Sequence, residues 1–167
     1  MKKSYSFIVL LTCAVMSCSK IPQIKIDFDR ETFEKEYAAW SAQNIKNYQF
    51  IYEYCSMAMR FNGPVKITIE EGNEPIIEHS FDYIENIPYT SIADMYERIN
   101  GMFDYMEGIK NGNSPYKVKS ATLQIEYNTQ FHFPKKVFNS VIFTDKDGTA
   151  IPGSGSITIE ITDFLSN

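Results

Sequence analysis

An alternating run of aromatic residues sets the architecture that we expect for this chain: Tyr48-Gln49-Phe50-Ile51-Tyr52-Glu53-Tyr54-Cys55. Successive side chains of a β-strand point to opposite faces of the sheet, so the rings of Tyr48, Phe50, Tyr52 and Tyr54 share one face. If helices cover that face, the rings belong to the core. If they do not, the rings form an exposed stripe that is a candidate binding face. We favour the core, because two-layer domains bury one face of the sheet and fill it with large apolar side chains.

Two amphipathic helices are predicted, one before and one after the first three strands in the chain. Asp29 is a suitable N-cap for a helix that continues to about residue 45, with Trp40 as its main apolar anchor. Ser91 and Asp94 resemble a capping box, and the apolar stripe that follows them extends to Ile109. Both helices therefore have one face suited to packing on a sheet.

Each helix is followed by three segments that alternate apolar and polar side chains or are rich in β-forming residues. The connections between them are short, which favours antiparallel pairing. The predicted strands are residues 48–57, 65–70, 75–81, 117–127, 135–143 and 156–163. We expect an α+β domain with two helices on one face of a roughly six-stranded antiparallel sheet, built from an α-β-β-β unit used twice.

A cysteine near the N-terminus indicates how the protein is attached. Lys2 and Lys3 precede an apolar stretch that is too short to span a bilayer, and Val15-Met16-Ser17-Cys18 follows it like a bacterial lipobox. We therefore expect residues 1–17 to be removed as a signal peptide and Cys18 to carry fatty acyl chains such as palmitate. The alternatives are an ordinary cleaved signal, or lipidation at Cys13, which would leave an apolar stretch near the lower limit for export.

The expected mature chain is one acidic domain on a short tether. Residues 18–28 would form the lipidated cysteine and tether, and residues 29–167 a single domain. Loss of Lys2 and Lys3 leaves 14 basic against 21 acidic residues, a net charge of −7 in place of −5. This balance argues against nucleic acid as a partner. We expect anchoring to the cell membrane after export, and Ser19 is compatible with the outer membrane.

Motifs for catalysis, metals and cofactors are absent from the sequence. Apart from Glu78 and Asp82 beside His79, neither His79 nor His132 has a second ligand at the spacing of a zinc site, and we expect both histidines in surface or turn positions. A tight turn explains residues 145–148 better than a calcium loop, because the acidic residue that ends an EF-hand loop is missing. Once Cys18 is acylated, Cys55 has no disulfide partner, and we expect it to be a free, mostly buried thiol.

Several short motifs resemble an uncharacterised family of small bacterial lipoproteins, a domain of unknown function. The resemblance covers nearly the whole expected mature chain. It implies export and an α+β fold, and it says nothing about a substrate. The motifs that carry it are Trp40, Asn47-Tyr48-Gln49-Phe50, Cys55, Gly63-Pro64-Val65-Lys66-Ile67, Ile125-Glu126-Tyr127-Asn128 and Phe133-Pro134-Lys135-Lys136-Val137.

The functional expectation is a non-enzymatic binding module of the cell envelope. Its partners would be the lipid bilayer, through acylated Cys18, and an unknown envelope protein or small ligand on the sheet face that the helices leave open. The first rival is a small-molecule carrier or enzyme with a pocket between helices and sheet, using tyrosines, His132 or Cys55. The second is an envelope inhibitor or chaperone. The oligomeric state stays open.

Overall fold

The computed structural model describes residues 25–56, 64–79, 87–151 and 154–166, and the predicted signal peptide and Cys18 lie outside this part of the chain. Two helices and seven strands follow one another within it. In chain order they are β1 Lys25–Asp27, α1 Arg30–Gln43, β2 Tyr48–Ser56, β3 Val65–Ile69, β4 Ile76–His79, α2 Ile92–Lys110, β5 Lys117–Tyr127, β6 Pro134–Thr144 and β7 Gly155–Ser166.

One sheet contains all of these strands, in the order β1-β5-β6-β7-β2-β3-β4. The six strands from β2 to β7 pair antiparallel with their neighbours, which confirms the predicted α+β architecture and the α-β-β-β order. The prediction missed β1, which pairs parallel with β5 along the edge of the sheet. Lys25–Asp27 therefore belong to the sheet, although the sequence placed them in the tether.

Both helices pack on the same face of the sheet and bury the aromatic run of β2. Tyr48, Phe50 and Tyr52 are 6%, 1% and 0% exposed, and Tyr54 is half-buried against the same core. The core interpretation of these rings is confirmed. The alternative of an exposed aromatic binding face is wrong, because the rings are covered by α1, α2 and Tyr89.

Helix α1 begins and ends at the residues that its sequence suggests. The Asp29 carboxylate accepts the Thr32 N–H at 3.0 Å. Hydrogen bonding to Thr32, through its side chain first and its backbone N–H second, lowers the pKa of Asp29. Asn44 adopts the left-handed conformation with φ 50°, which stops the helix just short of the predicted end. Trp40 anchors α1 to the sheet through edge contacts with Tyr48, Phe133 and Phe164.

Helix α2 starts at the predicted N-cap, and a hydrogen bond joins its first residue to β2. The Ser91 hydroxyl accepts the Asp94 N–H at 2.9 Å, while the Asp94 carboxylate accepts the N–H of Thr90. The Ile92 N–H lies in the first turn and has no acceptor within the helix. It donates to the Tyr48 hydroxyl at 3.2 Å. Despite the apolar stripe of α2, no helix in the described ranges has the length and apolarity needed to cross a membrane.

Replacing Tyr48 by Phe tests this hydrogen bond between α2 and β2. The change leaves the buried Ile92 N–H without its acceptor, so we expect Tyr48→Phe to lower the free energy of unfolding by about 1–2 kcal/mol in urea titrations. Tyr127→Phe is the matched control, because the buried Tyr127 hydroxyl has no hydrogen-bond partner among the described residues. Equal losses in the two variants would contradict the assigned role of the Tyr48 hydroxyl.

Candidate interaction surface

The sheet face opposite the helices is the candidate interaction surface, and we call it the open face. No described helix packs on it. The strand registers align its side chains in rows that cross the sheet. The four central rows are Gln124–Phe138–Thr158–Cys55, Glu126–Lys136–Glu160–Glu53, Asp163–Ile51–Lys66–Glu78 and Leu165–Gln49–Thr68–Ile76.

The central rows of the open face carry an excess of negative charge. They contain five carboxylates and two lysines, and each lysine is already paired with one carboxylate: Lys136 with Glu160 at 3.2 Å and Lys66 with Glu78 at 2.7 Å. Glu53, Glu126 and Asp163 have no ion-pair partner in the part of the chain that the structure describes. A positively charged partner would therefore find three unneutralised carboxylates on this face.

Two carboxylates of the open face oppose each other across neighbouring strands. Glu53 of β2 is the direct register partner of Glu160 of β7, and like charges in such positions destabilise a sheet. Alternation in the sequence places both side chains on the face of the sheet opposite the core. It could not show that they meet, because β2 and β7 are far apart in the chain.

A groove extends the open face at the start of β2. It has a volume of about 490 Å³, within the range of sites that hold a small molecule or a side chain. Gln49, Thr68 and Leu165 of the open face form one side of it, and Glu70 and Glu71 of the β3–β4 turn add two carboxylates. Leu165 is 52% exposed, so the groove also offers apolar surface.

Cys55 lies at the end of one row of the open face. It is a free thiol, as expected, but it is exposed and not buried. The reason is strand alternation: Tyr54 takes the core side, so its neighbour Cys55 points to the side that neither described helix covers. The prediction of a mostly buried thiol is therefore wrong.

His132 lies on the opposite side of the molecule, in the loop between β5 and β6. Its Nδ1 is 2.8 Å from a carboxylate oxygen of Glu36 on α1, and its backbone carbonyl accepts a hydrogen bond from the Tyr96 hydroxyl of α2. Gln43 of α1 also donates to this loop, at the Phe131 carbonyl. These groups join loop and helices, and the sheet separates them from Cys55.

The loop owes its conformation to Asn128. The side-chain oxygen of Asn128 accepts the N–H groups of Gln130 and Phe131, and its backbone carbonyl accepts the His132 N–H. His132 itself takes a left-handed conformation with φ 62°. The structure thus gives His132 a turn position next to a carboxylate, while His79 lies in edge strand β4 at the other side of the sheet.

One cavity between the helices and the sheet is small. A cavity of about 210 Å³ lies between the start of α1, Phe103 of α2, and β5, below the usual volume of a small-molecule site. Within the described ranges no group of three or more His, Cys, Asp and Glu side chains could hold a metal ion. Residues 145–149 form a tight turn in which the Asp145 carboxylate accepts the N–H groups of Asp147 and Thr149.

Neutralising Glu53 tests whether the carboxylates of the open face repel each other. We expect Glu53→Gln to raise the free energy of unfolding by about 0.3 kcal/mol, because it removes the repulsion from Glu160. Glu126→Gln is the matched control: Glu126 lies opposite Lys136, so the same change should be neutral or slightly destabilising. Urea unfolding at low ionic strength measures both. A loss of stability in Glu53→Gln would show that the pair does not repel.

Comparison with known proteins identifies the family of this chain. No curated protein matches the chain. The model of a family of unknown function, DUF6174, matches residues 32–141, about two-thirds of the sequence. The matched segment runs from α1 into β6 and leaves out β7, although β7 lies in the middle of the sheet. The chain belongs to the DUF6174 family.

Proposed function

We propose that this protein is a bacterial lipoprotein that is held to a membrane of the cell envelope by acylated Cys18. Its role in this proposal is non-enzymatic: it binds a basic segment of another envelope protein on the open face. The observation that carries the binding role is the set of unneutralised carboxylates on a sheet face that neither described helix covers. The outer membrane is the location that Ser19 favours.

The arrangement of the open face suits a protein segment better than a small molecule. Its apolar side chains, such as Phe138, Ile51 and Leu165, are spread among the carboxylates over several strands. Interfaces combine apolar contacts with charges that select and orient the partner. The groove beside Leu165 could receive one anchoring side chain of that partner.

The rival proposal, an enzyme or carrier using His132, tyrosines or Cys55, has weaker support. His132 and Tyr96 use their polar groups to join the β5–β6 loop to the helices. Cys55 lies across the sheet from them. The cavity between α1, α2 and β5 has less volume than a typical ligand requires.

Metabolic labelling tests the anchor. Cells that express the chain are fed an alkyne-bearing fatty acid, and the purified protein is probed for the label. We expect strong labelling of the wild-type chain and none of Cys18→Ala, because the thioether at Cys18 is the attachment point for the lipid. Cys13→Ala serves as the control and should keep the label. Labelling that survives in Cys18→Ala would refute the anchor.

Site-specific photo-crosslinking tests the open face. A photoreactive amino acid is placed at Thr158, in the middle of the open face, and at Ala38, an exposed position of α1. We expect a partner adduct from position 158 and not from position 38. Glu53→Gln with Asp163→Asn should weaken the adduct about five-fold, since both carboxylates attract the basic partner.

A matched pair of substitutions controls for the overall change of charge. Glu31→Gln with Glu34→Gln removes the same charge from exposed positions of α1 and should leave the adduct unchanged. Adducts that arise equally at positions 38 and 158, or that respond equally to the two pairs of substitutions, would contradict binding on the open face.

A further inference from the structure

The chain enters the domain at one corner, which we call the entry corner. β1 runs parallel to β5, with Lys25 beside Ser120, so β1 begins near the start of β5. Helix α2 ends at Lys110, shortly before β5, and Lys117 at the start of β5 pairs with Thr144, the residue before the β6–β7 turn. The entry corner consists of these three features: the end of α2, the start of β5 and the turn at residues 145–149.

The entry corner carries most of the positive charge that the described chain leaves unpaired. Arg30, Lys46, Lys66, Arg98 and Lys136 all form ion pairs with carboxylates. Of the lysines whose side chains the structure describes, six form none with another described residue, and four of the six are exposed at the entry corner: Lys110, Lys117, Lys119 and Lys146. The other two, Lys35 and Lys135, lie outside the corner.

Local structure directs these side chains to solvent. Lys117 and Lys119 flank Val118, which is 6% exposed, so both lysines point away from the core. Tyr116 beside them is 58% exposed and makes a T-shaped ring contact with Phe143. The acidic residues of the corner are Asp145, Asp147 and, in the last turn of α2, Glu107. Glu107 is paired with Arg30 at 2.8 Å, and the carboxylate of Asp145 is engaged by backbone N–H groups of its own turn.

We propose that the entry corner docks on the anionic phospholipid headgroups of the membrane that holds the lipid anchor. This inference rests on the proposed function, because acylated Cys18 is what brings the corner to the surface. Residues 19–24 separate Cys18 from β1, and the seven residue steps from Cys18 to Lys25 span at most about 25 Å. Lysines near an anionic bilayer are attracted to it, and a tyrosine ring suits the headgroup region.

The remaining charge of the domain favours the same orientation. The chain is acidic overall, and the open face has an excess of carboxylates, so an anionic membrane repels the other surfaces of the domain. When the entry corner faces the bilayer, the start of β5 points towards it and the strands stand away from it. The open face then stays accessible to a partner while the protein is docked.

Fluorescence quenching in vesicles tests this orientation. The acylated protein, in a Cys55→Ser background, receives one thiol-reactive fluorophore at Tyr116→Cys or at Thr129→Cys, which lies at the opposite end of β5. The vesicles contain a lipid with a nitroxide on its headgroup. With about a quarter of phosphatidylglycerol present, we expect quenching at position 116 to be about three-fold stronger than at position 129.

Charge reversal supplies the matched control. Lys117→Glu with Lys119→Glu should abolish the difference between the two positions, as should high salt or vesicles of phosphatidylcholine alone. Lys35→Glu with Lys135→Glu makes the same change of charge on the other unpaired lysines and should preserve the difference. Equal quenching at both positions, or equal effects of the two pairs of substitutions, would overturn the docking.

Flotation of the same samples separates the two proposals. A chain that floats with the vesicles but shows equal quenching retains its lipid anchor, and only the docking of the entry corner fails. A chain that carries no acyl group and does not float overturns the anchor and the docking together.

Discussion

The antiparallel pairing of β2 with β7 is the interaction on which the rest of the structure depends. Each α-β-β-β half contributes a three-stranded antiparallel unit, and this pairing alone joins the two units into one sheet. It sets Phe50 beside Phe164 and Tyr52 beside Ile161, so a continuous apolar face forms under both helices. A shift of register between Ile51 and Tyr52 keeps the core side chains of both strands on that face.

The same pairing creates the open face. Because side chains alternate along both strands, the register that buries the rings also places Glu53 against Glu160 on the other side. Stability alone would favour opposite charges at directly opposing positions of neighbouring strands. The proposed binding role gives a reason for the repulsion, since a basic partner would neutralise it.

A second constraint comes from the loop between β5 and β6. Asn128 folds the loop, and Glu36, Gln43 and Tyr96 hold it to the helix layer. The family match ends inside β6 at residue 141, after this loop and before β7. The matched residues therefore contain the contacts that join the helices to the loop, but they lack the strand between β6 and β2. A fragment cut at the family boundary would expose two unpaired strand edges.

Local features of the chain could be predicted from the amino-acid sequence because they depend on neighbours within a few residues. Asp29 and Ser91 cap their helices as expected, and the alternation in residues 48–55 correctly places the rings of Phe50 and Tyr52 on one face of the sheet. β1 was not predicted, since its three residues are too few to show the alternation of apolar and polar side chains that indicates a strand.

The order of the strands, the exposure of Cys55 and the meeting of Glu53 with Glu160 were decided only by the tertiary structure. Each of them depends on β2 pairing with β7 across about a hundred residues of chain, or on which face the helices cover. Side-chain alternation states which residues share a face, but it does not state which strand lies alongside or which face is buried. The sequence thus determined the helices, most of the strands, and which side chains of each strand share a face. Long-range packing decided which face is buried and which strands lie side by side.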